Sequence, residues 1–238
     1  MSGHILLAGG AEFGGRMAEP DRRAIELAGG LDATIRIIPT AAAPDHNQAR
    51  AGGNGQRWFT SLGASDVIVS NVVDQKTAND PIIAAEVRSS RLIYLLGGFT
   101  HYLGQTLAGS AAWDAALHAY QRGAVLAGSS AGAMVLCAWY YDPGTQQVHP
   151  GLGLVPFGEL TPKPGALVLP HHDTFGHRWA PHLLAQRPDL LLIGIDERTG
   201  MLDDGPHGRW NVYGQGAVTL YRHGQSNSYR SGEPFDLV

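Results

Sequence analysis

An apolar run, Ala124 to Ala127, breaks into Gly128-Ser129-Ser130-Ala131-Gly132 and leaves as a second apolar segment, Ala131 to Ala138. A strand that enters a small-residue turn and exits as a helix is the layout of a nucleophile elbow, here Gly128-x-Ser130-x-Gly132. The two glycines permit the tight turn and keep side chains out of it. Ser130 is then pushed out of the turn, beside N–H groups of the first helical turn that have no intrahelical acceptor. Those N–H groups can face a developing oxyanion. With 32 glycines in the chain the five-residue pattern alone recurs by chance, so the strand before it and the helix after it carry the reading.

The rest of the chain repeats that strand-to-helix alternation. His4 to Leu7, Thr34 to Ile38, Asp66 to Val69, Leu92 to Leu96, Ala124 to Ala127, Leu167 to Leu169 and Leu190 to Ile195 read as strands. Several are almost wholly apolar, as strands buried on both faces should be. Pro20 to Ala28, Asn47 to Leu62, Pro81 to Ser89, Ala111 to Arg122 and Arg178 to Gln186 read as helices, the second weakened by Gly53 and Gly55. The expectation is an α/β fold with a mostly parallel sheet between helical layers. Met201-Leu202, Trp210 to Tyr213 and Val218 to Arg222 read as a short antiparallel C-terminal extension. No linker or composition break divides the 238 residues, so one domain, 1–238, is expected.

Composition narrows the function. A net charge of −4 offers no basic surface for nucleic acid. Met1 to Leu7 has no charged leader and its apolar run stops at Gly9-Gly10, so neither a signal peptide nor a membrane span is expected. Cytoplasmic location is the default, with one cysteine, Cys137, and hence no internal disulfide. Cys137 lies inside the helix after Ser130 and reads as a packing thiol.

A serine nucleophile needs a base within hydrogen-bond reach. His171 and His172, after Val168-Leu169-Pro170, are the candidates. The base needs an acid to fix its tautomer. Asp142, opening the loop after the nucleophile helix, competes for that role with Glu159, Asp173 and Asp196. Asp196 and Glu197 at a strand end could instead tie down backbone N–H groups. Gly97-Gly98 follows Leu92 to Leu96 and permits close approach of a ligand to the backbone. A metal held by His171, His172, Asp173 and His177 would leave the elbow unexplained, so no metal and no cofactor is expected. Gly9-Gly10-x-x-x-Gly14-Gly15 matches neither nucleotide-binding pattern and is discounted.

Taken together, Leu95-Leu96-Gly97-Gly98, Gly128-Ser129-Ser130-Ala131-Gly132-Ala133, His172 and Gly194-Ile195-Asp196-Glu197-Arg198-Thr199 follow one order. In that order the chain resembles peptidase family S51, the dipeptidase E and cyanophycinase family. The resemblance runs from Ile5 to about Thr199. It implies a class I glutamine amidotransferase-like three-layer sandwich with serine at the elbow. It implies Ser130 as nucleophile, His172 as base, Asp142 as acid, and the N–H groups of Gly98 and Ala131 as the oxyanion hole. Phe99 and Thr100 would border the substrate, and Arg178 is the one arginine placed to hold an acidic side chain. The activity implied is hydrolysis of short peptides, of dipeptidase or exopeptidase type, with a preference for an acidic residue beside the cleaved bond. A serine esterase and a non-catalytic ligand-binding member of the superfold are the competing readings. The expected partner is a short peptide, without nucleic acid or membrane; a homodimer is left open.

Overall fold

The computed structural model describes residues 3–155, 165–222 and 224–237. Fourteen strands are described: β1 (His4–Ala8), β2 (Thr34–Ile38), β3 (Asp66–Val69), β4 (Leu92–Leu95), β5 (Val125–Ser129), β6 (Trp139–Asp142), β7 (Gln147–Pro150), β8 (Ala166–Leu169), β9 (Leu191–Ile195), β10 (Thr199–Leu202), β11 (Trp210–Gly214), β12 (Ala217–Arg222), β13 (Gln225–Arg230) and β14 (Pro234–Phe235). The helices are α1 (Ala18–Leu27), α2 (Gln48–Ser61), α3 (Gln75–Ala78), α4 (Pro81–Arg88), α5 (Thr100–Leu107), α6 (Ala111–Gln121), α7 (Ala131–Leu136) and α8 (Ala180–Gln186).

The main sheet runs β14-β11-β10-β1-β5-β4-β2-β3. From β1 to β3 every pairing is parallel, and the β10, β11 and β14 edge is antiparallel. Alternate residues of the central strands go to opposite faces. Leu6, Ile35, Ile37, Leu92, Tyr94, Val125 and Ala127 pack with Ala24, Ile25 and Phe59 of α1 and α2. Ile5, Leu7, Ile93, Leu95 and Leu126 pack on the other side with Leu103, Leu107, Trp113 and Ala116 of α5 and α6. Both faces are buried, which is why these strands are mainly apolar, with Arg36 of β2, paired with Asp66, as an exception. The expected layered α/β sandwich is therefore what the chain forms.

One expectation about the sheet needs correction. Leu167 to Leu169 and Leu190 to Ile195 do not extend the main sheet. They pair in parallel as β8 and β9 in a second sheet, β13-β12-β9-β8, whose other pairings are antiparallel. The second helix, expected over Asn47 to Leu62, forms as Gln48–Ser61 with its glycines inside it. A Cβ on Gly52 would sit 2.5 Å from Val69 Cγ1, and one on Gly55 2.9 Å from Ile37 Cδ1 and Phe13 Cζ. These glycines let α2 lie close on the sheet, and that packing outweighs their poor helix propensity. Helix α5 and the β6–β7 hairpin are elements that the sequence pattern does not announce. The nucleophile helix stops at Leu136, since Cys137 is already extended (φ −75°, ψ 173°).

Candidate active site

The main sheet brings the carboxyl ends of β1, β4 and β5 side by side, the place where α/β sheets bind ligands. The elbow forms at the end of β5. Gly128 and Gly132 are both required by contact: a Cβ on Gly128 would strike the Gly132 carbonyl, and one on Gly132 the Leu95 carbonyl. Ser130 sits at φ 50°, ψ −114°, outside the ordinary regions for a side-chain-bearing residue. Such a conformation costs on the order of 1–3 kcal/mol and needs over-determining contacts. One is Ser130 N–H donating to Ala8 O (3.0 Å). Another holds the preceding residue, where Ser129 Oγ donates to Glu12 Oε2 (2.9 Å).

The end of β1 ties the other parts in. His171 N–H donates to Gly9 O (2.7 Å), Gly9 N–H to Thr199 O (3.0 Å), and Arg198 N–H to Gly10 O (2.9 Å). A Cβ on Gly10 would collide with the His171 ring, and one on Gly9 with the Ile195 and Asp196 carbonyls. The Gly9-Gly10 pair, discounted as a nucleotide motif, is thus the floor on which histidine and acid segments meet.

His171 Nε2 lies 3.1 Å from Ser130 Oγ, and His171 Nδ1 lies 2.8 Å from Glu197 Oε1. An ionised carboxylate only accepts, so Nδ1 carries the proton and Nε2 is free to accept the serine hydroxyl. Phe175 stacks on the imidazole at 4.9 Å and 20°. The Glu197 backbone N–H donates to Asp173 Oδ1 (2.9 Å), which holds the acid's own segment.

The resemblance implies His172 at the serine with Asp142 behind it; the structure brings His171, the other histidine candidate, and Glu197 there instead. His171 has φ 49° and swings its ring off the strand path toward β5. His172 stays in the β8–β9 ladder, its N–H donating to Ile195 O (3.1 Å). Its ring packs on Gly194 and meets Tyr221 Oη (2.9 Å) and Asp196 Oδ1 (3.4 Å). Asp142 closes a hairpin turn, its carboxylate accepting from Gly144 N–H (3.1 Å) and Thr145 Oγ (2.8 Å). It has no hydrogen bond to either histidine among the described residues. Asp196 accepts from Ala217 N–H (2.8 Å), the backbone-tying role foreseen for that strand end. Glu159 lies outside the described residues.

Gly98 follows β4 at φ 139°, with its Cα against the Ala41 carbonyl, and Ala131 opens α7 directly after Ser130. Phe99 is exposed beside Gly98. Thr100 is buried, with its hydroxyl toward Met134 Sδ (3.6 Å), so it turns into the core. Arg178 is exposed on the short helical turn Gly176–Trp179. Cys137 is fully buried and burial pushes its thiol up to about 12, which leaves it inert.

Fold and site together define a class I glutamine amidotransferase-like α/β sandwich with a serine, a histidine and a carboxylate hydrogen-bonded in line at the strand ends. The chain belongs to peptidase family S51, whose model matches residues 5–206, and is a hydrolase acting on peptides. It is 30% identical to a cyanophycinase of Geminocystis herdmanii (strain PCC 6308) across 94% of this chain and 82% of that one. It is 29% identical to a cyanophycinase of Synechococcus elongatus across 92% of this chain and 69% of the relative. The crystal structure of a peptidase from an acI-B1 actinobacterium superposes with TM-score 0.85 at 29% identity, covering all of this chain and 98% of that one. A putative peptidase E from Listeria monocytogenes EGD-e shares the fold (TM-score 0.57, 17% identity, 97% of this chain and 99% of that one). Among the described residues no helix is long and apolar enough to cross a membrane.

Proposed function

We propose that the chain is a serine peptidase of short peptides, with Ser130 as nucleophile, His171 as base and Glu197 as the acid behind it. The observation that carries this reading is the unbroken Ser130–His171–Glu197 line at a strained elbow. Ser130 Oγ attacks the scissile carbonyl carbon and its proton passes to His171 Nε2. Glu197 stabilises the imidazolium and keeps the ring in register. The carbonyl oxygen, now an oxyanion, takes hydrogen bonds from the N–H groups of Gly98 and Ala131. Collapse expels the amine, which leaves with the proton from His171. Water then repeats the sequence on the acyl-serine, with His171 again as base.

Strain at Ser130 fits this use. The backbone is held before the substrate arrives, so the hydroxyl needs no reorganisation at the moment of attack.

The finer reading is a dipeptidase or exopeptidase that prefers an acidic residue at the cleaved bond. The relatives bear the name cyanophycinase, and an acidic side chain at a site needs a cation, best a bidentate guanidinium. Arg178, on the turn that follows Phe175, is the candidate. The test is kcat/KM on matched Asp-Leu and Leu-Leu dipeptides in wild type and Arg178→Ala. The expected result is an Asp preference of at least ~10-fold that shrinks toward unity in the variant, as for loss of a charge-assisted hydrogen bond. A Leu preference untouched by the substitution contradicts the acidic specificity. Failure to hydrolyse any member of a dipeptide library contradicts the peptidase reading itself.

A further inference from the structure

Outside the serine site, the β6–β7 hairpin gathers a second set of chemistry-bearing side chains. In its register Tyr140 faces His149 and Asp142 faces Gln147. Alternation along β6 puts Tyr140 and Asp142 on one face, and the cross-strand pairing puts His149 on that face too. Tyr141 goes to the other face and packs on Trp179 (5.3 Å). The first turn of α5 then lays His101 over the Tyr140 side, with ring centroids of His101 and His149 4.4 Å apart.

One ligand atom each from His101, Asp142 and His149 lies within 4.8 Å of the other two. Three details set this cluster apart from a plain aromatic stack. His149 Nε2 is buried and has no hydrogen-bond partner, a desolvated lone pair or N–H that costs stability as it stands. His101 is oriented from behind, its Nδ1 paired with Tyr140 Oη at 3.0 Å, while its Nε2 makes no hydrogen bond among the described residues. Metal-bound histidines are held in this way through their second nitrogen. The Asp142 carboxylate is fixed by the turn it closes, through Gly144 N–H and Thr145 Oγ, and each oxygen keeps a further lone pair.

We propose that His101, Asp142 and His149 form a binding site for a zinc-like divalent cation, separate from the serine centre. Two imidazoles and a carboxylate are the ligand set of a borderline cation, with a fourth position for water. Tetrahedral zinc wants ligand atoms about 3.3 Å apart, so closing the site takes side-chain movements of about 1 Å. The ion gives the orphaned His149 nitrogen a partner. It also fastens the hairpin to the start of α5, the helix that follows directly on Gly98 and Phe99. Its role is a clamp on that wall of the serine site, and no step of hydrolysis passes through it.

The test uses cobalt(II) chloride as a spectroscopic probe on the purified full chain, with zinc chloride as competitor. Wild type is expected to bind one equivalent of Co²⁺ with intense tetrahedral d–d bands that zinc displaces. His149→Ala and Asp142→Asn should each weaken Co²⁺ binding by at least ~10-fold. Zinc should raise the Tm of wild type and not of these variants. His171→Ala should bind Co²⁺ as wild type does. Asp142 is on the hairpin surface, so its variant decides the matter should His149→Ala misfold. Absence of the bands in wild type overturns the proposal. So does binding that survives both substitutions, or that is lost in His171→Ala instead.

Discussion

His171→Ala is expected to lower kcat by at least ~10³-fold, while His172→Ala keeps most of the activity and loses stability instead. The two residues are adjacent, yet their imidazoles have different work. His171 Nε2 lies 3.1 Å from Ser130 Oγ, so its removal takes away the base that makes a serine hydroxyl nucleophilic. His172 is held between Tyr221 Oη and Asp196 under Gly194. Deleting it leaves a half-buried tyrosine hydroxyl and carboxylate without their partner, a cost of about 1–3 kcal/mol. The split is read by measuring kcat and Tm on the same two variants. Because residues of one relay act as a unit, Ser130→Ala combined with His171→Ala should be scarcely slower than either alone. A dead His172→Ala beside an active His171→Ala would reverse the assignment of the base.

The second large effect is expected at Glu197. Its Oε1 accepts from His171 Nδ1 at 2.8 Å, which fixes the tautomer that leaves Nε2 free for the serine. In Glu197→Gln the amide can donate to Nδ1, favouring the tautomer with the proton on Nε2, and the imidazolium loses its counter-charge. A fall in kcat of roughly 10²–10⁴-fold follows, with KM much less changed. The carboxylate of Asp142 closes its own hairpin turn and makes no hydrogen bond to His171 among the described residues, so Asp142→Asn should lower kcat far less. Steady-state kinetics on Glu197→Gln, Asp142→Asn and Asp196→Asn side by side rank the three acids. A larger loss at Asp142 or Asp196 than at Glu197 would contradict the relay.

The elbow was legible because all of its requirements are local. Gly128, Ser130 and Gly132 stand at fixed spacing, and the strand and helix that define them adjoin in sequence. The parallel core was legible for a related reason: strands buried on both faces are apolar at most positions. The choice between His171 and His172 was not local. Both follow Pro170, and which ring reaches β5 depends on the positive φ of His171. That angle is held by His171 N–H on Gly9 O and His172 N–H on Ile195 O, bonds to segments far away in sequence. Glu197 was overlooked as the acid for the same reason, although the Asp196-Glu197 pair stood out in the sequence. One member ties the backbone of β12 and the other faces the histidine, and only the ending of β9 decides which. The β6–β7 hairpin was missed because its residues, Trp139 to Pro150, carry no clean alternation; packing on α5 and Trp179 makes it. Gly9-Gly10 was visible, but its purpose, room for the His171 ring, appears only once the chain is folded.

The central claim is that Ser130, activated by His171, is the attacking group. A fluorophosphonate probe tests it most directly, since it reacts with an activated serine and leaves a covalent tag that peptide mapping locates. The account predicts one tag per chain, on Ser130, none in Ser130→Ala, near wild-type labelling in His172→Ala, and labelling slowed by at least ~10²-fold in His171→Ala. A tag on any other residue, or peptide turnover retained by pure Ser130→Ala, would contradict it.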